Sequence, residues 1–389
     1  MKYLGGYITA AILGAITWVF MQFGERFSNL VDMVYPYVIR TLQGMLAQWS
    51  SGVDFLIWQL LAVVLVVIIL ATLVIVVACK RSVISWGGWV LSALTFIYLL
   101  HTLVYGLNYY AGSLADDIRL EVAQYTLEEL ADATEYYRDR ANILAMLVNR
   151  DESGNVDFEE FEVLAQQAGE GFDTLTYERS YSVFAGSKLP VKKLGLADMY
   201  TSMGITGYTF GLTGEAAVNP NIPDIALPFT MAHEMAHRMC IAPERDANFA
   251  AYLACVVHSS VEFEYSACFM AYRYCYNALA QISTKASAEA TSAISKDVSD
   301  LLQRDLAYYN TFFASKQDRA ATNFANTVND NYLKTSGDSA GIASYGQVCD
   351  LLVNWHIQEI VLPSIAVEEE LFDPYDESQV DLSGITNAR

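Results

Sequence analysis

Three long apolar stretches near the amino terminus decide what this chain can fold into. They run over 4–23, 55–79 and 83–107. A helix of about 20 residues spans the roughly 30 Å hydrocarbon layer of a bilayer, and all three are long enough. The second carries LLAVVLVVIILATLVIVVAC without a charge, and Lys80 and Arg81 follow it. The third has Trp86 and Trp89 near one end and Tyr105, Tyr109 and Tyr110 near the other, the arrangement of an interfacial aromatic belt. The first could also serve as a signal peptide. It has one leading lysine and no small-residue cleavage site, which favours a retained helix.

Charge sets the orientation expected. Lys80 and Arg81 form the one basic pair at a helix end, in a loop of a few residues. Placing that loop in the cytoplasm puts residues 24–54 and everything beyond about 108 outside; Arg26 and Arg40 pull weakly the other way. The net charge is −21, and residues 1–107 hold five basic and three acidic residues, so the rest of the chain carries −23. Such a domain repels nucleic acid and anionic headgroups. We therefore expect no nucleic-acid partner, and a bilayer that is met through its hydrocarbon. The division expected is a membrane anchor over 1–107, an extracytoplasmic domain over 108–367 and an acidic flexible tail over 368–389.

The outer part reads as mainly helical. Thr126 opens T-L-E-E, a capping box in which Glu129 reaches back to the cap. Leu130, Ala133, Tyr137, Ala141, Leu144 and Leu147 then recur at helical spacing. Between 183 and 227, glycines punctuate short runs such as ITGYTFGLT, the pattern of one or two short strands with turns. Helices resume over 228–282, 286–333 and 344–366. The six cysteines form no C-x-x-C pair and read as small buried thiols.

Residues 228–239, PFTMAHEMAHRM, contain His-Glu-x-x-His. On a helix, His233 and His237 stand one turn apart on one face and can hold one zinc ion from the same side. Glu234 projects beside them, placed to take a proton from an attacking water. Pro228 suits the first turn. The alternative is a surface helix that happens to carry these residues. A third ligand is expected after Pro243: Glu244 in the first turn of a new helix, with Asp246 as the competing choice. Asn248, one turn beyond Glu244, can hydrogen-bond a ligand histidine. Tyr265 and His258 are candidates for holding an oxyanion, against plainer roles in packing and capping. The 207–219 segment reads either as an edge strand for an extended substrate or as a packing loop.

Asn149, Asp151, Ser153, Asn155, Asp157 and Glu160, arranged around Gly154, have the spacing of an EF-hand calcium loop. The other reading is a solvated acidic turn. A transporter would need ionisable groups in the apolar runs, where His101 stands alone.

The segments GLNYYAGSL (106–114), YTLEEL (125–130), GYTFGLTGEAAVNPNIP (207–223), LPFTMAHEMAHRM (227–239) and ERDANFAAYLACV (244–256) resemble the bacterial membrane proteins catalogued as domain of unknown function 3810. The resemblance implies kinship with the gluzincin-like metallopeptidases. The resemblance implies a zincin-like α+β domain with a small sheet, Glu244 as a zinc ligand and Asn248 as the residue that orients a histidine. Related families often have glycine three residues after the second histidine, where this chain has Cys240. The function implied is a membrane-anchored zinc metallopeptidase acting on a peptide or protein substrate. The alternative is a catalytically silent zinc-binding protein that assists assembly of the cell envelope.

Overall fold

The computed structural model describes residues 4–338 and 340–363; the acidic tail expected over 368–389 lies outside them. The protein is mainly helical with one small sheet. Helix α1 spans Gly5–Gln22, α2 Ser28–Val34, α3 Arg40–Ser50, α4 Ile57–Ala78 and α5 Val83–Val104. Of these, α1, α4 and α5 are long and apolar enough to cross a membrane. Helices α1 and α5 cross at small residues: a Cβ on Gly6 would lie 2.4 Å from the Gly88 carbonyl carbon, and Ser92 donates to the Gly6 carbonyl at 2.5 Å. Close backbone approach of this kind replaces the missing hydrophobic drive between helices in lipid. Every residue of α4 is at least partly exposed. Its tie to α5 near their hairpin is the Trp86 indole donating to the Thr72 hydroxyl at 3.0 Å.

Beyond α5 come α6 (Leu114–Ile118), α7 (Leu127–Leu144), α8 (Phe161–Gln167), α9 (Glu170–Tyr177) and β1 (Lys192–Lys193). Next are α10 (Ala197–Ser202), β2 (Gly207–Phe210) and β3 (Glu215–Val218). The capping box at the start of α7 forms as read, with the Glu129 amide donating to the Thr126 hydroxyl and the Thr126 amide donating to the Glu129 carboxylate. The sheet runs β1-β3-β2, parallel across the first pair and antiparallel across the second. Helices α11 (Leu227–Arg238), α12 (Glu244–Val256) and α13 (Val261–Gln281) form the centre of the domain. They are followed by α14 (Lys285–Lys296), α15 (Asp300–Lys316), α16 (Arg319–Ser336) and α17 (Val348–His356).

The core lies where α7, α11, α12, α13 and α17 meet, filled by Tyr137, Phe249, Phe263, Phe269 and Leu351. Tyr265 is sealed inside it and donates to Asp305 at 2.5 Å, and Arg150 grips the same carboxylate with two bonds of 2.8 Å.

Residues 24–54 do not stand apart from the domain. Arg40 donates to the carbonyls of Met239 (3.2 Å) and Ser182 (3.1 Å), and Gln43 donates to that of Gly211 at 2.8 Å. Tyr35 donates to the Leu103 carbonyl at 2.5 Å. This segment and the domain therefore sit at the same end of the apolar helices.

Candidate metal centre

All twelve residues of α11 are buried, so its polar side chains need partners inside the protein. The helix ends in a Schellman turn. The Cys240 amide donates to the His237 carbonyl at 2.9 Å, and the Ile241 amide to that of Ala236 at 3.1 Å. Cys240 takes the left-handed conformation, φ 72°, that glycine usually fills at this point. The turn is thus the ordinary one despite the missing glycine, and burial pushes the Cys240 thiol up to about 12, which keeps it neutral. The reversal brings the Ile241 carbonyl back over His237, whose Nδ1 lies 2.8 Å from it. A carbonyl only accepts, so Nδ1 carries a proton, and Nε2 is the nitrogen that can give its lone pair to a metal once its own proton is displaced.

Pro243 then starts α12 and sets Glu244 in its first turn. Glu244 Oε2 lies 3.2 Å from His233 Nε2 and 3.4 Å from His237 Nε2. The two rings are 4.5 Å apart, edge to face. In a tetrahedral zinc site with bonds of about 2.0–2.1 Å, neighbouring ligand atoms stand roughly 3.3 Å apart. The two spacings from Glu244 meet that requirement, and all three ligand atoms lie within 4.8 Å of one another. Oε2 of Glu244 is also buried without a well-formed hydrogen bond among the described residues, as befits an atom that faces a cation. Among the described residues, His233, His237 and Glu244 are the one set that gathers three such ligand atoms within 4.8 Å. Asp246, the competing choice, turns away: it accepts from the Leu114 amide at 3.0 Å and from Arg245 at 2.9 Å.

Electrostatics within the trio are strongly coupled. Burial works to raise the Glu244 carboxyl, but the imidazoles of His237 and His233 outweigh it and hold it well below the usual carboxylate range. Burial likewise opposes a charge on His237, and the Glu244 carboxylate overrides it, lifting His237 to about 9. The third carboxylate behaves differently. Burial raises Glu234, against the pull of the two imidazoles and of a hydrogen bond from Thr209. That bond is 2.7 Å long, and the same hydroxyl lies 2.9 Å from the Glu234 carbonyl.

Thr209 was not among the residues singled out in the sequence, and Gly207 appears there only as one of the glycines that punctuate the short runs. A Cβ on Gly207 would lie 2.4 Å from Glu234 Oε1, so only glycine lets β2 come this close. Strand alternation within GYTF puts both on one face, which was the available signal. Asn248 is buried one turn beyond Glu244, but its Nδ2 and His233 Nδ1 both lack a partner among the described residues. The hydrogen bond expected between Asn248 and a ligand histidine is not formed. Tyr265 and His258 stand elsewhere, Tyr265 on Asp305 and His258 bonded to the Gln167 carbonyl (3.1 Å) and stacked on Phe263. They are structural.

The 149–160 loop is a tight hairpin turn. Arg150 bridges to Val156, and Asp151 closes on Asn155 through the Asp151 amide to the Asn155 carbonyl (2.9 Å) and the Asn155 amide to the Asp151 carboxylate (2.8 Å). The Asn155 carbonyl, which an EF-hand gives to calcium, is therefore spent within the turn. Asp151, Asp157 and Glu160 form no three-carboxylate cluster.

A search of curated proteins and a search of solved structures each found no match. Residues 31–353 match the family described as "Protein of unknown function (DUF3810)", a span that takes in α3 to α5, the sheet and the His-His-Glu trio, and the chain belongs to that family.

Proposed function

We propose that the protein is a zinc-dependent peptidase anchored in the membrane by α1, α4 and α5, with its site on the extracytoplasmic side. The observation that carries this reading is the convergence of ligand atoms of His233, His237 and Glu244 within 4.8 Å, with Glu244 Oε2 at 3.2 and 3.4 Å from the two Nε2 atoms. A zinc ion held there would supply Lewis-acid polarisation of a scissile carbonyl and of the attacking water. The chain's own residues do the rest. Glu234, fixed by Thr209, takes the proton from water and passes it to the leaving amine. The Ile241 carbonyl holds His237 in the tautomer that leaves Nε2 free. Strand β2 pairs on one side with β3, and its other edge pairs with no strand among the described residues, so it can take an extended main chain. The gluzincin-like and zincin-like character of the domain belongs to this proposal, as does the side of the membrane, which rests on Lys80 and Arg81 between α4 and α5.

The test uses the full chain purified in detergent. About one zinc per chain is expected. Casein hydrolysis is expected from the wild type and is lost in Glu234→Gln, which keeps its zinc. Zinc bound by both, with neither cutting casein, would favour the silent zinc-binding protein instead. No zinc in either would remove both readings.

A further inference from the structure

The sheet that borders the metal centre is also where the membrane helices attach. Glu215 opens β3, and its side chain is fully buried. Its two oxygens accept from the backbone amides of Ile57 and Trp58, each at 2.9 Å, so a strand residue caps the start of α4. Lys192 and Thr213 complete its partners at 2.8 and 2.9 Å. Glu215 pairs with Phe210 of β2. Along β2 the faces alternate. Gly207 and Thr209 meet Glu234, whereas Tyr208 and Phe210 meet the Trp58 ring at 5.5 and 5.7 Å, and Phe210 stacks on His101 of α5 at 6.3 Å. Tyr105, just past α5, packs on Gly211. The carboxylate of Glu234 and the ends of two membrane-length helices thus lie on opposite faces of a single strand.

That geometry fixes a height. The charge-free apolar run of α4 begins at Leu60, one turn after the cap. From Glu234 across one strand and along one helical turn is roughly 15 Å, the length of about five residues of extended chain. Attachment through both α4 and α5 ties the site to the ends of two helices at once. From this we infer that the peptide bonds reached by the site lie in the stretch of a membrane-anchored polypeptide next to its anchor, within about five residues of the bilayer surface. The inference rests on the peptidase reading above. Two ring nitrogens of this aromatic wall, Trp58 Nε1 and His101 Nδ1, are buried without partners among the described residues.

The test places the full chain in phosphatidylcholine nanodiscs with a pool of mixed-sequence peptides, each carried on a single membrane-spanning anchor, and maps cut positions by mass spectrometry. Most cuts are expected within about six residues of the anchor, and the same pool without its anchor should be cut at least roughly tenfold more slowly. Cuts spread evenly along the peptides, or equal rates with and without the anchor, would overturn the inference while leaving the peptidase reading intact. If neither pool nor casein is cut by zinc-loaded protein, both readings fall. A second measurement needs no activity. Tyr208→Cys in a Cys79→Ser background, carrying a fluorophore, should be quenched most by headgroup nitroxides. A label that no lipid nitroxide quenches would place β2 too far from the bilayer and end the idea.

Discussion

Zinc uptake should release a proton, and its affinity should climb with pH in a defined window. In the metal-free protein His237 titrates near 9 because Glu244 faces it across 3.4 Å in a buried setting. At pH 7 about 99% of metal-free molecules then hold a proton that a metal must displace, which lowers the apparent affinity about 100-fold, or by about 3 kcal/mol. Raising the pH from 7 to 9 recovers about 50-fold of this, close to tenfold in the first unit and about fivefold in the second, and the gain levels off above 9. The protons released should fall from about one per ion at pH 7 to about half at pH 9. Titration calorimetry in buffers of different ionisation enthalpy gives the proton count, and competition against a chromogenic chelator gives the affinity. An affinity unchanged between pH 7 and 9 would show that Glu244 and His237 are not coupled as the geometry requires. The same pair sets the stability of the metal-free protein. His237 is raised above 6.5, so its contribution is complete below 6.5 and fades as pH rises through about 9. Glu244 is depressed below 4.5, so its contribution is complete above 4.5 and is lost as pH falls through its lower folded value. The metal-free protein therefore keeps the full pair between those two limits.

Glu244→Gln removes the one anionic ligand and should weaken zinc binding by more than roughly 100-fold in chelator competition, with near-native affinity counting against the trio. Thr209→Val deletes the donor that lowers Glu234, so the acid limb of the casein pH profile should move to higher pH; an unmoved limb would mean that the hydroxyl does not tune this carboxylate. Asp305→Ala leaves the buried Tyr265 hydroxyl without its acceptor and Arg150 with only the Ala145 and Gly154 carbonyls, and should cost about 3 kcal/mol in denaturant unfolding. A loss below about 1 kcal/mol would show that water replaces the carboxylate there.

What could be read in the sequence was written over short distances. The apolar runs, the Thr126–Glu129 box and the His233–His237 spacing each depend on residues within one element. Glu244 could be reached because one turn and Pro243 separate it from α11. Two local patterns left two readings open for the same reason. The 149–160 spacing fits an EF-hand, but Arg150 is drawn into Asp305, 155 residues away, and the turn closes on itself. Tyr265 follows the site in sequence, yet that same distant Asp305 takes its hydroxyl. Glu215 capping α4, 158 residues earlier, and Gln43 holding the Gly211 carbonyl, 168 residues later, leave no trace in periodicity.

These long links also bear on where the domain begins. A fragment starting at 108 would keep the His-His-Glu trio and lose what shapes its surroundings. Without Arg40, the Met239 carbonyl at the end of α11 loses its donor. Without Ile57 and Trp58, the buried Glu215 keeps only Lys192 and Thr213, and the aromatic face of β2 loses Trp58 and His101. Gly214, at φ 65°, shows how tight this seam is, since a Cβ there would lie 2.6 Å from the Gln43 carbonyl. A family match that begins at residue 31, ahead of α3 and α4, fits the same conclusion. The unit that folds the candidate metal centre includes two of the membrane-length helices, and a site built this way is tied to those helices by the same contacts that hold it together.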